Sequence, residues 1–210
     1  MHVIAANIAQ PALIEWKGKK EYTGIYKAAV DKAIFLGKEG VSGDAVADRR
    51  VHGGVDKACY LFSADHYDFW KAQYPLLDWD WGMFGENLSI SGMDESKIRI
   101  GDVFQIGEAL VEVSQPREPC YKLGIKFGDQ KVISEFIDHG YPGVYVRVLE
   151  EGKVCKGDEL ILKKQSDSSL TVKDFFDFLY TREKDPKLLE LILNTPALPE
   201  KKKNKLKRYL

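Results

Sequence analysis

Short apolar runs separated by glycine-containing connections fill the first three quarters of the chain and constrain its fold more than any other feature. The runs cover residues 3–8, 33–36, 58–62, 87–90, 103–106, 110–113, 144–149 and 159–162. Residues 103–113, with Gly107-Glu108 at their centre, predict a β-hairpin. Many short strands with such connections predict a mainly β domain over residues 1–164, built as a closed or nearly closed barrel.

Two helices are predicted to interrupt these strands. Ser63 is a suitable N-cap for the first, and Tyr67 and Trp70 follow it at helical spacing. The second helix is predicted over residues 130–138, and Gly140 ends it.

The sequence changes character after residue 164, where residues 165–169 form a polar, serine-rich linker. Beyond it, apolar residues recur at helical spacing, and Thr171, Pro186 and Pro199 mark the starts of three short helices. We therefore predict a small all-α domain over residues 170–210. About forty residues are marginal for independent stability, so this domain is expected to pack on the barrel or on another subunit, as in a homodimer.

Charge and cysteine content exclude several classes of protein. The 210 residues carry 31 Lys and Arg against 32 Asp and Glu, and a net charge of −1 creates no global attraction to nucleic acid or membrane. Three cysteines without a CxxC pair argue against a disulfide framework or a zinc ribbon. With no signal-like start and no span-length apolar stretch, we expect a cytoplasmic protein that binds neither nucleic acid nor membrane.

The segment around Cys120 is the most informative candidate site. Pro116 and Pro119 restrict the backbone just before this cysteine and so fix the position of its side chain. Arg117 and Lys122 place positive charge nearby, which favours the thiolate, the form that acts as nucleophile or metal ligand. The alternative is a buried structural cysteine.

A second candidate lies in the glycine- and arginine-rich loop at residues 43–57. Arg50 could bind a phosphate or carboxylate in bidentate fashion, and His52 could hydrogen-bond or transfer protons. The alternative is a solvated loop, and no Walker or dinucleotide fingerprint is present. Glu86 and Asn87 lead into a strand, where they could face a site at the barrel mouth or only shape a turn. A lone lysine such as Lys27 is most often a surface residue.

In their order along the chain, these segments resemble the MOSC family (molybdenum cofactor sulfurase C-terminal domain). The resemblance is to its bacterial YiiM-type branch of N-hydroxylaminopurine reductases, which carries a C-terminal three-helix extension. The matching stretches are residues 40–44, 47–58, 84–88, 100–102, 115–123 and 152–158, and the tail is similar as well. The cysteine and HGG motifs are specific in combination, although each alone is weak.

The resemblance implies a pyruvate-kinase-like β-barrel that binds a mononuclear molybdenum–pyranopterin cofactor, with Cys120 as the catalytic metal ligand. It implies an enzyme that reduces N-hydroxylated compounds, namely N-hydroxylaminopurines, amidoximes and hydroxylamines, with electrons from a separate flavin or iron–sulfur protein. Glu86 or His52 is the expected proton relay. The expected cofactor-binding residues are Lys27, Arg50, His52, Asn87, Arg117 and Lys122.

Two alternative functions stay open at this point. The chain could carry molybdenum cofactor or sulfur without turning over a substrate, or it could be an interaction module that holds no metal. Arg49 stands where relatives often carry an apolar residue, so we interpret it as a surface charge. The basic tail is expected to be a solvated helix face that meets an acidic electron-transfer protein rather than nucleic acid. Its charged residues are Lys201, Lys202, Lys203, Lys205, Lys207 and Arg208.

Overall fold

The computed structural model describes residues 1–45 and 53–210. The strands in this part of the chain are β1 (His2–Ile8), β2 (Ala12–Trp16), β3 (Lys19–Thr23), β4 (Ala28–Val30), β5 (Ile34–Gly37), β6 (Gly40–Val41), β7 (Cys59–Ser63), β8 (Leu88–Ser91), β9 (Val103–Ile106), β10 (Ala109–Pro116), β11 (Val144–Glu150), β12 (Gly152–Val154) and β13 (Leu160–Lys164). The helices are α1 (Tyr67–Gln73), α2 (Tyr121–Phe127), α3 (Val132–His139), α4 (Val172–Tyr180), α5 (Pro186–Asn194) and α6 (Glu200–Leu206). Short 3₁₀ turns occur at Val55–Lys57, Ala64–His66 and Lys207–Tyr209.

One large mixed sheet organises the protein. Its strands follow the order β13-β9-β10-β11-β7-β8-β1-β4, and two smaller sheets contain β12-β5-β6 and the β2–β3 hairpin. β7 and β8 pair in parallel, whereas the other neighbours in the large sheet pair antiparallel. The mainly β prediction is therefore confirmed, and so is the β9–β10 hairpin, in which Ile106 pairs with Ala109.

The expected closed barrel is not found in the described part of the chain, because the large sheet has two free ends, β13 and β4. Backbone hydrogen bonds from Val3 N to Asp158 O (2.8 Å) and from Leu160 N to Met1 O (2.9 Å) bring the two ends of the fold together. Only one bridge, between His2 and Glu159, forms there. A turn at residues 155–158 bends the chain just before β13, which prevents a longer ladder.

An aromatic cluster packs α1, α2 and α3 together. Trp70 is fully buried, and its ring centroid lies 5.9 Å from that of Phe136 and 5.6 Å from that of Phe84. Gly140 adopts a left-handed conformation, φ 76°, at the end of α3, as the sequence predicts. The cluster supports the site described below, because Phe84 also lines the pocket.

The three C-terminal helices lie where the sequence predicts them. The Thr171 hydroxyl accepts a hydrogen bond from Asp174 N, and the Asp185 carboxylate accepts one from Lys187 N, so both residues cap helices. Their apolar side chains belong to the same buried cluster as the strands. The helices therefore share the core of the sheet, and the division of the chain into two domains stays a prediction. No helix in the described residues is both long and apolar enough to cross a membrane.

The shared core predicts the effect of Phe175→Ala in α4. Phe175 is fully buried, and removing its ring should lower the free energy of unfolding by about 3–5 kcal/mol. All four tryptophans (Trp16, Trp70, Trp79 and Trp81) precede the tail, so their fluorescence during urea unfolding reports on the sheet part alone.

We expect this tryptophan transition to shift to lower urea in one cooperative step. Phe35→Ala is the control, since Phe35 is 41% exposed and should cost far less. A Phe175→Ala variant whose tryptophan transition stays at the wild-type midpoint would contradict a shared core.

Candidate functional site

One pocket gathers most of the residues that the sequence singled out. Those that line it are Lys27, Asn87, Arg117, Cys120 and Lys122. Glu86 is not among the described residues that line this pocket. Arg50 and His52, as well as Arg49, lie outside the described residues, so their predicted roles stay predictions.

The end of β10 and the start of α2 fix the position of Cys120. Arg117 N donates to Gly143 O (3.4 Å) just after the strand, and Leu123 N donates to Cys120 O (2.9 Å) in the first turn of the helix. Cys120 itself has an extended backbone, φ −134° and ψ 163°, and is half-buried. The thiol therefore lines the pocket from a short segment that is held at both ends.

Arg117 is a buried cation with an unused hydrogen-bond donor. Arg117 is 5% exposed, and its Nη1 has no hydrogen-bond partner in the described chain. The guanidinium lies over the rings of Phe136 (5.2 Å) and Tyr60 (5.6 Å). Burial opposes its charged form, but Tyr60, Cys120, Tyr145 and Tyr180 together raise the pKa of the guanidinium. Leaving such a donor unpaired costs free energy, so the pocket is suited to a ligand that accepts from it.

Lys27 binds a carboxylate of the protein itself. Its Nζ lies 2.6 Å from Asp44 Oδ1 and 2.5 Å from Oδ2, and both side chains are nearly inaccessible. Asp44 also accepts from Asn87 Nδ2 (2.9 Å) and from Ala9 N (2.8 Å). In the structure Asp44 therefore neutralises the Lys27 ammonium and binds the Asn87 amide, and the cofactor-binding roles expected of these two residues stay predictions.

Glu86 is fully buried between Gly85 and Asn87, which both line the pocket. It accepts hydrogen bonds from Gly82 N (2.9 Å), Phe84 N (3.1 Å) and the Ser89 hydroxyl (2.8 Å), and also from the Tyr67 hydroxyl. Three of these donors bind Oε1, and Phe84 N binds Oε2. In the structure Glu86 thus shapes the turn before β8, and its expected role as a proton relay stays a prediction.

A hairpin that the sequence analysis missed covers one side of the cysteine segment. Lys122 Nζ lies 3.3 Å from Glu21 Oε2 on β3, and the ring of Tyr121 stacks on that of Trp16 at 5.4 Å. The signal was the Lys17-Gly18 pair, whose φ values of 49° and 73° suit a tight hairpin turn. The second strand, β3, is mostly polar and charged, so the sequence shows an apolar run on only one side of this turn.

Tyr145 and Lys57 also line the pocket. Lys57 ends the candidate loop at residues 43–57 but was not named as a site residue, and Tyr145 lies in a predicted strand with no motif around it. Tyr145 pairs with Gln115 across β10 and β11, which places it beside the segment leading to Cys120. The ammonium of Lys57 lies 5.3 Å from the Tyr145 ring centroid. The Tyr145 hydroxyl has no hydrogen-bond partner in the described chain, and burial raises the pKa of this phenol to about 12.

The pocket residues fit a metal that arrives with an anionic organic cofactor. No group of three or more His, Cys, Asp or Glu side chains in the described residues could hold a metal ion by itself. The protein can instead offer one thiolate, a soft ligand, from Cys120. The Arg117 donor and the nearby Lys57 and Lys122 suit the negative groups of such a cofactor.

The Lys27–Asp44 pair predicts that Lys27→Met will destabilise the cofactor-free protein. The variant leaves a buried carboxylate without its cation, which should cost about 3–5 kcal/mol in urea unfolding. Adding Asp44→Asn should recover a large part of the lost free energy of unfolding, because the second change removes the unpaired buried carboxylate. Lys122→Met is the control, since its partner Glu21 is partly exposed. A Lys27→Met variant as stable as this control would refute the structural role.

A model of the MOSC domain family matches residues 48–161. Protein YflK of Bacillus subtilis is 40% identical over 200 residues, which are 94% of this chain and 89% of that protein. Protein YiiM of Escherichia coli is 37% identical over 154 residues, 72% of this chain and 68% of that protein. A Gibberella moniliformis protein named reductase is 36% identical over 165 residues, 77% of this chain, but the chain spans only 28% of that protein.

The crystal structure of YiiM from Geobacillus stearothermophilus superposes on the fold with a TM-score of 0.83 and 27% identity, covering 99% of this chain and 97% of that one. The family match includes the segment that carries Cys120, Arg117 and Tyr145, and the similar fold extends through the C-terminal helices. The chain therefore belongs to the MOSC domain family.

Proposed function

We propose that the protein is a molybdenum-cofactor oxidoreductase that reduces N-hydroxylated compounds to the corresponding amine or amidine. N-hydroxylaminopurines, amidoximes and hydroxylamines are the substrate class. The observation that carries the proposal is the half-buried Cys120 in one pocket with the buried, unpaired donor of Arg117. The name of the fungal relative, reductase, supports redox chemistry over a carrier role.

The reaction converts an N–OH group to N–H and releases water, which consumes two electrons and two protons. The molybdenum cofactor, when bound, supplies redox chemistry that can remove the hydroxyl oxygen. Cys120 would hold the metal through its thiolate. Arg117 would donate from Nη1 to a negative group of the cofactor, with Lys57 and Lys122 adding positive charge beside it. The electrons would come from a separate flavin or iron–sulfur protein.

Tyr145 is our choice for the proton donor at the pocket. Its hydroxyl is unpaired in the described chain and lies in the same pocket as Cys120. Burial raises the pKa of this phenol to about 12, so the hydroxyl is protonated at neutral pH and can donate a hydrogen bond to the departing oxygen. Proton transfer would follow as negative charge develops on that oxygen. Glu86 is a weaker choice because its carboxylate is already bound by donors of the protein.

The proposed metal ligand predicts that Cys120→Ser abolishes turnover. A hydroxyl is not the soft thiolate ligand that molybdenum requires. The change should alter the free energy of unfolding by less than about 0.5 kcal/mol, because the side chain is only half-buried. The measurements are molybdenum content, reduction of an amidoxime with a reduced viologen dye as donor, and urea unfolding.

The other two cysteines are matched controls. Cys59 is 1% exposed in β7, so Cys59→Ser should cost about 1–3 kcal/mol of stability and leave turnover intact at equal cofactor loading. Cys155→Ser should change neither quantity, since its thiol lies near Asp158 in a partly exposed turn. If Cys120→Ser keeps wild-type turnover at equal cofactor loading, Cys120 is not the metal ligand. Retained molybdenum without turnover in the wild-type protein would favour the carrier.

The proposed proton donor predicts that Tyr145→Phe lowers kcat by about 10²-fold or more, which is the usual effect of losing a general acid. KM and molybdenum content should change little, because the ring remains and only the hydroxyl is lost. Tyr60→Phe is the control, since the Tyr60 hydroxyl donates to Pro142 O (2.8 Å) and is not free to serve a substrate. Equal kcat values for the two variants would exclude Tyr145 as proton donor.

A further inference from the structure

The last helix presents a row of positive charge to solvent. Lys201, Lys205 and Arg208 are all exposed, and their spacing of four and three residues puts them on one side of α6 and the turn that follows. We call these three residues the basic stripe. The whole chain has a net charge of −1, so the stripe is a local concentration of charge rather than part of a basic protein.

Within residues 1–45 and 53–210, no acidic side chain forms an ion pair with Lys201, Lys205 or Arg208. Glu200 is the only acidic residue between 200 and 209, and it lies 3.0 Å from the Nζ of Lys203, on the buried side of the helix. Arg208 donates to the neutral Tyr209 hydroxyl (2.7 Å), which leaves its charge in place. Exposed charges that no acid neutralises act through long-range attraction of an oppositely charged surface. The stripe therefore suits an acidic partner.

The stripe lies beside the pocket. The Nζ of Lys202, which precedes Lys205 on α6, forms an ion pair with the carboxylate of Glu118. Glu118 is two residues before Cys120, so their Cα atoms are at most about 7.6 Å apart. The pKa of the pocket residue Lys57 is lowered first by burial and then by Lys202, with Lys205 and Lys201 contributing in the same direction. The charges of α6 therefore act at the rim of the site.

We propose that the basic stripe docks an acidic, flavodoxin-like FMN protein that delivers electrons to the Cys120 pocket. The inference rests on the proposed reductase function, which needs an electron donor. A fully reduced flavin releases two electrons and two protons, which balance the conversion of N–OH to N–H and water. A donor bound at the stripe has its flavin close to the pocket, because the Lys202–Glu118 ion pair joins α6 to the segment that carries Cys120.

The structure favours an acidic protein over nucleic acid as the partner. Single-stranded nucleic acids are bound through aromatic platforms that alternate with cations. The aromatic ring in this segment, Tyr209, is 36% exposed. It lies 6.3 Å from the Phe178 ring and within about 5 Å of the cations of Lys184 and Arg208, so its ring already has partners within the protein. With three exposed cations, the stripe could also contact only a few phosphates of a nucleic acid.

The experiment compares the wild-type holoenzyme with the double variant Lys201→Glu/Lys205→Glu. The probe is an acidic flavodoxin, used as reduced donor in amidoxime reduction and, separately, as ligand in calorimetric titration. At low ionic strength the variant should raise the KM for flavodoxin and its Kd by about tenfold or more. Wild-type kcat/KM with flavodoxin should fall as salt is added, while turnover with a reduced viologen dye should be the same for both proteins.

Lys38→Glu/Lys163→Glu is the matched control, because it makes the same change in net charge at exposed residues. Lys38 lies in the β5–β6 turn and Lys163 on β13. It should bind flavodoxin like the wild type. Equal effects of the two double variants, or stripe-dependent binding of duplex DNA but not of flavodoxin, would overturn the proposal. Absence of dye-driven turnover in wild-type protein would instead refute the proposed reductase, and the calorimetric comparison would still decide the docking surface.

Discussion

The buried ion pair between Lys27 and Asp44 is the interaction on which the site depends. It joins the segment after β3 to the segment after β6, and Asn87 links both to the start of β8. A buried pair stabilises a fold only when its remaining hydrogen-bonding atoms are satisfied. Asp44 meets that condition through Asn87 Nδ2 and Ala9 N. The charges of Lys27 and Asp44 therefore compensate each other where these residues line the pocket.

A second polar junction holds the same loops from the other side. Lys126 on α2 donates from Nζ to Gly82 O (2.7 Å) and Ile25 O (3.1 Å), and burial lowers the pKa of this lysine to about 8. Gly82 has a φ of 87°, and a Cβ there would lie 2.8 Å from Lys27 O, so the turn requires glycine. Glu86 binds the amides of this turn. Glu86 and Lys126 thus hold the loops around the pocket in place. Arg117, Cys120 and Tyr145 are the pocket residues available to contact a ligand.

The C-terminal helices contribute to the site as well as to stability. α4 packs its apolar face on the core of the sheet, and this packing carries α6 to the cysteine segment, where Lys202 meets Glu118. A tail that looks separable in sequence thereby determines the charge at the rim of the pocket. The same arrangement explains how a chain with balanced charge can present a basic surface beside its proposed metal ligand.

The sequence by itself determined the local structure: most strands, the hairpin at Gly107, the capped helices of the tail and the rigid segment before Cys120. These features depend on residues close in the chain, whose propensities and turn chemistry act without distant partners. Only the tertiary structure decided that Asp44 neutralises Lys27, that Glu86 turns inward and that Tyr145 reaches the pocket. Each of these results from pairing between distant segments, such as the register of Gln115 with Tyr145, and a one-residue shift in that register would have placed Tyr145 on the opposite face.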